Sequence, residues 1–413
     1  MSSKKIKLRG DRVNLHYSHE GKGKINIIFI HGWNIDHSYW DSQADLLKKD
    51  YSVYALDLPG FGDSKAEDRE VWSMEEFALD ITDFISHLEL ENVILVGHSM
   101  SGGIILDVAV KSTEKQILAL IAVDTLKAIG AEPTEDDRWK KENFMNRMAE
   151  DYKEAVSLYT EAYLFSPFTS EEVRKRVKKD FEDSDPETGM LTFKGLLQNG
   201  ENIREKLQLI PQKLYLINSD YRPTDTESLQ KYCKNGFELL TVHGTGHYPM
   251  IEKPEEFNML IKGIIDNVTK DYENELTTRV SDKVEAPVQT VWQALTDPEI
   301  ISKYMYGVKY ETDWQVGSTI KWNGIWNGKL FEHKGRILEM DPPYSFKYSY
   351  YNTLSDLPDE EESYGIISYQ LAEETGQTLV LITQDNNRTK KQRDEAESTW
   401  KEMLKELKKA VEH

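Results

Sequence analysis

Short apolar runs alternate with longer stretches of helical period over the first 270 residues, and after residue 275 the alternation gives way to strand after strand. Ile25 to Ile30 reads as a buried strand. Tyr51 to Leu58, Val93 to Val96, Ala119 to Val123, Lys213 to Asn218 and Glu238 to Val242 read as further ones. Between them Ser73 to Leu90 has helical spacing, with Ser73 and Glu76 set as a capping box. Near-continuous apolar strands separated by helices predict a mostly parallel sheet with helices on both faces. The charge-rich helical stretch 126–210 interrupts that pattern as an inserted lid. It carries the aromatics Trp139, Phe144, Tyr152, Tyr159, Tyr163 and Phe165. A helix from Glu255 to Val268 closes a first domain at 1–270, and the polar stretch 271–275 is expected to be a linker.

The second domain, 276–413, reads as α+β: a strand, a helical segment Pro287 to Met305, several strands with Gly turns, and a terminal helix Thr389 to Glu412. In that helix Trp400, Met403, Leu404, Leu407 and Val411 recur at i, i+3, i+4, i+7 and i+11, one apolar stripe for a sheet.

Composition narrows the function. No apolar run reaches the roughly 18 residues of a membrane span, and residues 1–10 lack the apolar core of a secretory signal, so no membrane role and a cytoplasmic location are expected. A net charge of −21 opposes nucleic acid as a partner. Cys233 is the single cysteine, which leaves no disulfide framework and no Cys-based zinc site; no metal is expected.

Gly97-His98-Ser99-Met100-Ser101 follows a predicted strand and precedes a helical segment, the setting of a nucleophile elbow. A strand turning sharply into a helix leaves no room for bulk two positions either side of the nucleophile. Gly97 and Ser101 are small enough, although Gly is commoner at the second position. Ser99 is the candidate nucleophile. A serine hydroxyl needs an imidazole to take its proton and a carboxylate to orient that imidazole. His247, in Gly246-His247-Tyr248-Pro249 after the last strand, supplies the base. Asp220, just past the strand ending at Asn218, is the preferred acid; Asp225 and Asp124 are alternatives. The amides of Trp33 and Met100 are the candidate oxyanion donors, with His31, His98 and Gly32 supporting the loops around them.

These motifs, with Asp57-Leu58-Pro59-Gly60-Phe61-Gly62-Asp63-Ser64 and Trp40, resemble the α/β-hydrolase superfamily in its lid-bearing, esterase-like branch over about residues 10 to 270. The resemblance implies a site roofed by the helical insert, a small-molecule acyl substrate, and no cofactor. Ser at position 99 speaks against chemistry that uses a carboxylate nucleophile.

Residues 276–413 resemble the START-like (SRPBCC) superfamily, in the branch named after activators of a heat-shock protein ATPase. The resemblance rests on Glu285 to Pro298, Gly335 to Pro343 and Trp400. It implies a helix-grip fold and an apolar ligand in a cavity. Trp292, Tyr304, Tyr306, Trp322, Trp326, Phe331, Tyr348 and Tyr350 would line such a cavity or fill a core. The functional expectation is a serine hydrolase acting on a carboxylic ester. The alternatives are a ligand sensor with little turnover, or a C-terminal module that docks a protein partner.

Overall fold

The apolar runs are the inner strands of an eight-stranded sheet. The computed structural model describes residues 2–10, 13–66, 69–112, 117–199, 202–305, 307–326, 329–355, 357–374 and 376–412. These form two compact units, Met1–Thr269 and Lys270–His413.

In the first unit the strands are β1 (Ser2–Leu8), β2 (Val13–Glu20), β3 (Asn26–Ile30), β4 (Ser52–Leu56), β5 (Val93–His98), β6 (Ile117–Val123), β7 (Leu214–Ser219) and β8 (Phe237–Val242). Their order is β1-β2-β4-β3-β5-β6-β7-β8. The hairpin β1–β2, too polar to stand out in the sequence, joins antiparallel to β4, and every later pair is parallel. Every residue of β4 and β5 is buried, as strands covered on both faces must be.

The register decides where loops meet. Ile30 pairs with Gly97, His98 with Val123, and Val123 with Ile217, so the strands end level and their loops gather at one edge. Helices α1 (Asp41–Leu47), α2 (Met74–His87) and α3 (Ser101–Lys111) connect the first strands; the Ser73 side chain caps α2 by accepting from the Glu76 amide. The insert between β6 and β7 holds α4 (Glu135–Glu150), α5 (Tyr152–Tyr163), α6 (Glu171–Asp183), α7 (Pro186–Asn199) and α8 (Ile203–Leu209). Then follow α9 (Thr226–Tyr232), α10 (Pro249–Glu252) and α11 (Pro254–Leu276); residues 271–275 lie inside α11.

The second unit holds β9 (Thr278–Val284), α12 (Val288–Thr296), α13 (Pro298–Tyr304), β10 (Lys309–Glu311), β11 (Thr319–Trp326), β12 (Lys329–Asp341), β13 (Ser345–Tyr350), β14 (Gly365–Glu374), β15 (Gln377–Gln384) and α14 (Lys390–Val411). The segment read as one helix from Pro287 to Met305 is two. The residue before Pro298 is pushed out of the helical region, and Asp297 instead caps the new helix through the Glu299 amide. The sheet is antiparallel throughout, in the order β10-β11-β12-β13-β14-β15-β9. Trp400, Met403, Leu404 and Leu407 of α14 are buried, the stripe expected from their spacing.

Among the described residues the aromatic side chains of this unit pack closely at its centre. The space between Tyr304, Tyr310, Trp314, Phe346, Tyr348 and Tyr369 is about 10 Å³, about the least that admits one water. Trp292 and Trp322 pack edge-on against Phe346 and Tyr348 at 5.6 Å each. Tyr306 and the Trp326 side chain lie outside the described residues.

Candidate active site

Ser99 stands between β5 and α3 with φ +55°, a left-handed conformation that a side-chain-bearing residue adopts only under constraint. Its amide donates to the Val123 carbonyl at 3.0 Å. Gly97 is obligatory here: a Cβ would sit 2.4 Å from the Ser101 carbonyl oxygen. Ser101 fills the position where Gly is commoner and does something Gly could not. Its hydroxyl donates to the His31 carbonyl at 2.5 Å, tying the elbow to the loop after β3. Gly32 in that loop lies so close to the elbow that a Cβ would meet the Ser99 Cβ at 3.1 Å. The Met100 amide falls at the start of α3, among the first N–H groups of a helix, which have no partner within it.

His247 Nε2 lies 2.7 Å from Ser99 Oγ, and its Nδ1 lies 2.7 Å from Asp124 Oδ2. The acid that reaches His247 is therefore Asp124, and the preference for Asp220 is corrected. Asp220 accepts instead from His243 Nδ1 at 3.0 Å and the Gly244 amide at 2.9 Å, bracing the turn before His247. Register explains the outcome. Val123 is level with His98 on one side and Ile217 on the other, so Asp124 emerges beside Ser99, whereas Asp220 lies one strand further away and two residues past that level. Asp225, the other alternative, caps α9 through the Ser228 amide.

Asp124 is fully buried and held on both oxygens. Oδ1 accepts from the Ser219 amide at 2.8 Å and its hydroxyl at 2.5 Å, and pairs with Lys127 Nζ at 2.6 Å. Burial works to raise its pKa, but the His247 hydrogen bond and the nearby charges of His247 and Lys127 outweigh it and hold the carboxyl well below its ordinary value. The Tyr221 hydroxyl stands 3.2 Å from His247 Nδ1. Beneath His247, His98 Nε2 donates to the His247 carbonyl at 2.8 Å, and burial, then the neighbouring His247, pulls the His98 pKa down to about 3.

The lid is anchored to this machinery: the His247 amide donates to the Leu164 carbonyl at 2.8 Å. Trp33 packs against Phe144, Tyr159, Phe181 and Phe193 at ring distances of 5.1 to 6.2 Å, and its Nε1 donates to the Gly189 carbonyl. Of the lid aromatics singled out in the sequence, Phe144, Tyr159 and Tyr163 join this cluster. Trp139 is 62% exposed, Tyr152 is hydrogen-bonded to Asn34, and Phe165 lies under Arg174. Phe181, Phe193, Tyr221 and Arg222 escaped sequence reasoning because nothing in their local pattern separates them from core or surface residues.

A cleft of about 650 Å³ lies elsewhere, lined by Asn34, Gly60, Arg69, Trp72, Asp180 and Asp185 among others; Ser99, His247 and Asp124 do not line it. Asp57 of the β4 loop accepts from His16 Nδ1 (2.7 Å), His37 Nδ1 (2.8 Å) and the amides of His37 and Asp63, which locks that loop. Among the described residues, His16, His37 and Asp57 are the group whose donor atoms are close enough to share a metal ion, and those atoms are already hydrogen-bonded to one another.

A strand–elbow–helix serine with an imidazole and a buried carboxylate in line defines a hydrolase-type site. Residues 27–260 match the family model described as the alpha/beta hydrolase family, and the chain belongs to that family. Residues 285–412 match the model of Activator of Hsp90 ATPase homolog 1-like protein, so a START-like domain follows the hydrolase domain. YugF, an uncharacterized hydrolase of Bacillus subtilis, is 31% identical over 105 residues, which are 25% of this chain and only 38% of that relative's length. A pimeloyl-[acyl-carrier protein] methyl ester esterase of Wigglesworthia glossinidia brevipalpis is 25% identical over 258 residues, 59% of this chain and 95% of that one. An esterase structure from Thermogutta terrifontis superposes with a TM-score of 0.57 at 19% identity, over 65% of this chain and 99% of that chain, a likeness of fold. Among the described residues no helix is long and apolar enough to cross a membrane.

Proposed function

We propose that the protein hydrolyses a small-molecule carboxylic ester through Ser99, His247 and Asp124. The reading rests on one observation, the unbroken line of two 2.7 Å contacts from Ser99 Oγ through the imidazole to the Asp124 carboxylate. Ser99 Oγ attacks the ester carbonyl carbon while His247 Nε2 takes its proton. The amides of Trp33 and Met100 receive the developing oxyanion. His247 then gives the proton to the departing alcohol, leaving an acyl-enzyme. Water, deprotonated by the same nitrogen, releases the acid and restores the serine. Asp124 holds the Nδ1–H tautomer and stabilises the imidazolium. Ester, rather than another acyl bond, is favoured by the relative named as a methyl ester esterase, whose length this chain nearly spans. We assign the second unit no part in turnover; the space among its core aromatics Tyr304, Tyr310, Tyr348 and Tyr369 is about 10 Å³.

The test is labelling of the full chain with a fluorophosphonate, read by intact mass and peptide mapping, beside Ser99→Ala. A single adduct on Ser99, absent from the variant, together with turnover of short acyl esters, is the expected result. Failure of the wild type to label means that the serine is not activated, and a ligand-binding protein without turnover becomes the better reading.

A further inference from the structure

From Trp33 to His247 runs a collar of side chains, each in contact with the next. Trp33 meets Tyr159 at 5.7 Å, Tyr159 meets Tyr163 at 5.1 Å, and the Arg222 guanidinium lies 5.3 Å from the Tyr163 ring and 5.5 Å from the Tyr221 ring. Tyr221 closes the collar on His247, ring to ring at 6.5 Å. The collar is apolar at the Trp33 end and cationic at the other.

Arg222 differs from the other cation beside the triad. Lys127 is committed to Asp124 at 2.6 Å. Arg222 is exposed, within cation–π distance of two rings, and among the described residues has no carboxylate within 4.0 Å. A cation–π contact uses none of the guanidinium N–H donors as a hydrogen bond to a carboxylate would, so an arginine held this way keeps the fork that takes a carboxylate two-handed. A surface arginine in a chain of net charge −21 has many acids to pair with; this one is held by tyrosines at the rim of the site instead.

We propose that, given the hydrolase reading above on which this rests, the substrate's acyl group is an apolar chain with an anionic far end. The chain lies along the collar from Trp33, and the anion is bound by Arg222. Arg222 is thus a specificity-determining residue, one position from the tyrosine that touches the catalytic imidazole.

The experiment uses the full chain and two probes that share one acyl chain and leaving group, mono-4-nitrophenyl suberate with a free far carboxylate and its methyl ester without the charge. The wild type is expected to favour the monoacid by about tenfold or more in kcat/KM, the equivalent of one charge-assisted hydrogen-bonded contact. Arg222→Gln is expected to bring that ratio near one through a higher KM for the monoacid, and Arg222→Lys to retain part of it. A wild type that hydrolyses both esters without preference, or an Arg222→Gln enzyme that keeps the preference, overturns the proposal and leaves the hydrolase reading standing. A wild type that turns over neither ester and does not label with fluorophosphonate overturns both.

Discussion

The Asp124 carboxylate lies 2.7 Å from Nδ1 of His247, across 123 residues of sequence and against a closer and more obvious candidate in Asp220. The contact exists because β6 is the immediate neighbour of β5, so the first residue past β6 comes out beside the first residue past β5. The helical insert between β6 and β7 begins a few residues after Asp124, so one segment carries both the carboxylate and the start of the insert.

Gly97→Ala tests the elbow. The added methyl would meet the Ser101 backbone at 2.4 Å, where no flexible side chain can give way. We expect a loss of about 2–3 kcal/mol of stability in denaturant unfolding, and a drop in activity beyond what the unfolded fraction explains, since Ser99 must shift with the elbow.

Ser101→Ala tests the link between the elbow and the loop after β3, proposed to hold the oxyanion. It strands the buried His31 carbonyl, at a cost of about 1–3 kcal/mol, and frees the loop that carries the Trp33 amide. Thermal unfolding should show the first effect, and a lower kcat with little change in KM the second.

Acid should weaken the first unit through His98. Its Nε2–H is committed to the His247 carbonyl, and Nδ1 is buried with no partner among the described residues, so the folded protein refuses a second proton until about pH 3, while the unfolded chain accepts one below about 6.5. The unfolded state binds more protons in that window. The contribution is therefore complete above pH 6.5 and is lost as pH falls towards 3, by about 2 kcal/mol between 6.5 and 5. Urea unfolding at pH 7 and pH 5 measures it, and in His98→Gln the difference should shrink.

Much of this was legible beforehand. Strands β3 to β8 announced themselves as apolar runs, and Ser99 and His247 sit in local sequences whose small residues carry the geometry. Asp124 was readable only as an alternative, because choosing among carboxylates at strand ends requires the order and register of the sheet, which no local pattern holds. Phe193 meets Trp33 through the packing of the helical insert, and Arg222, on the loop after β7, meets the insert at Tyr163. In the second unit the aromatic residues are visible in the sequence but not whether they wall a cavity or fill it; that depends on side-chain volumes meeting across the sheet, which leave about 10 Å³ between Tyr304, Tyr310, Trp314, Phe346, Tyr348 and Tyr369.

The central claim is that Asp124 completes the triad, and steady-state kinetics of Asp124→Asn and Asp220→Asn on one ester test it most directly. Loss of an orienting carboxylate costs about 10⁴ in kcat where it has been removed from such a triad. The prediction is a fall of that order for Asp124→Asn and a change of no more than several-fold for Asp220→Asn. The reverse pattern, with Asp220→Asn crippled and Asp124→Asn active, would contradict it.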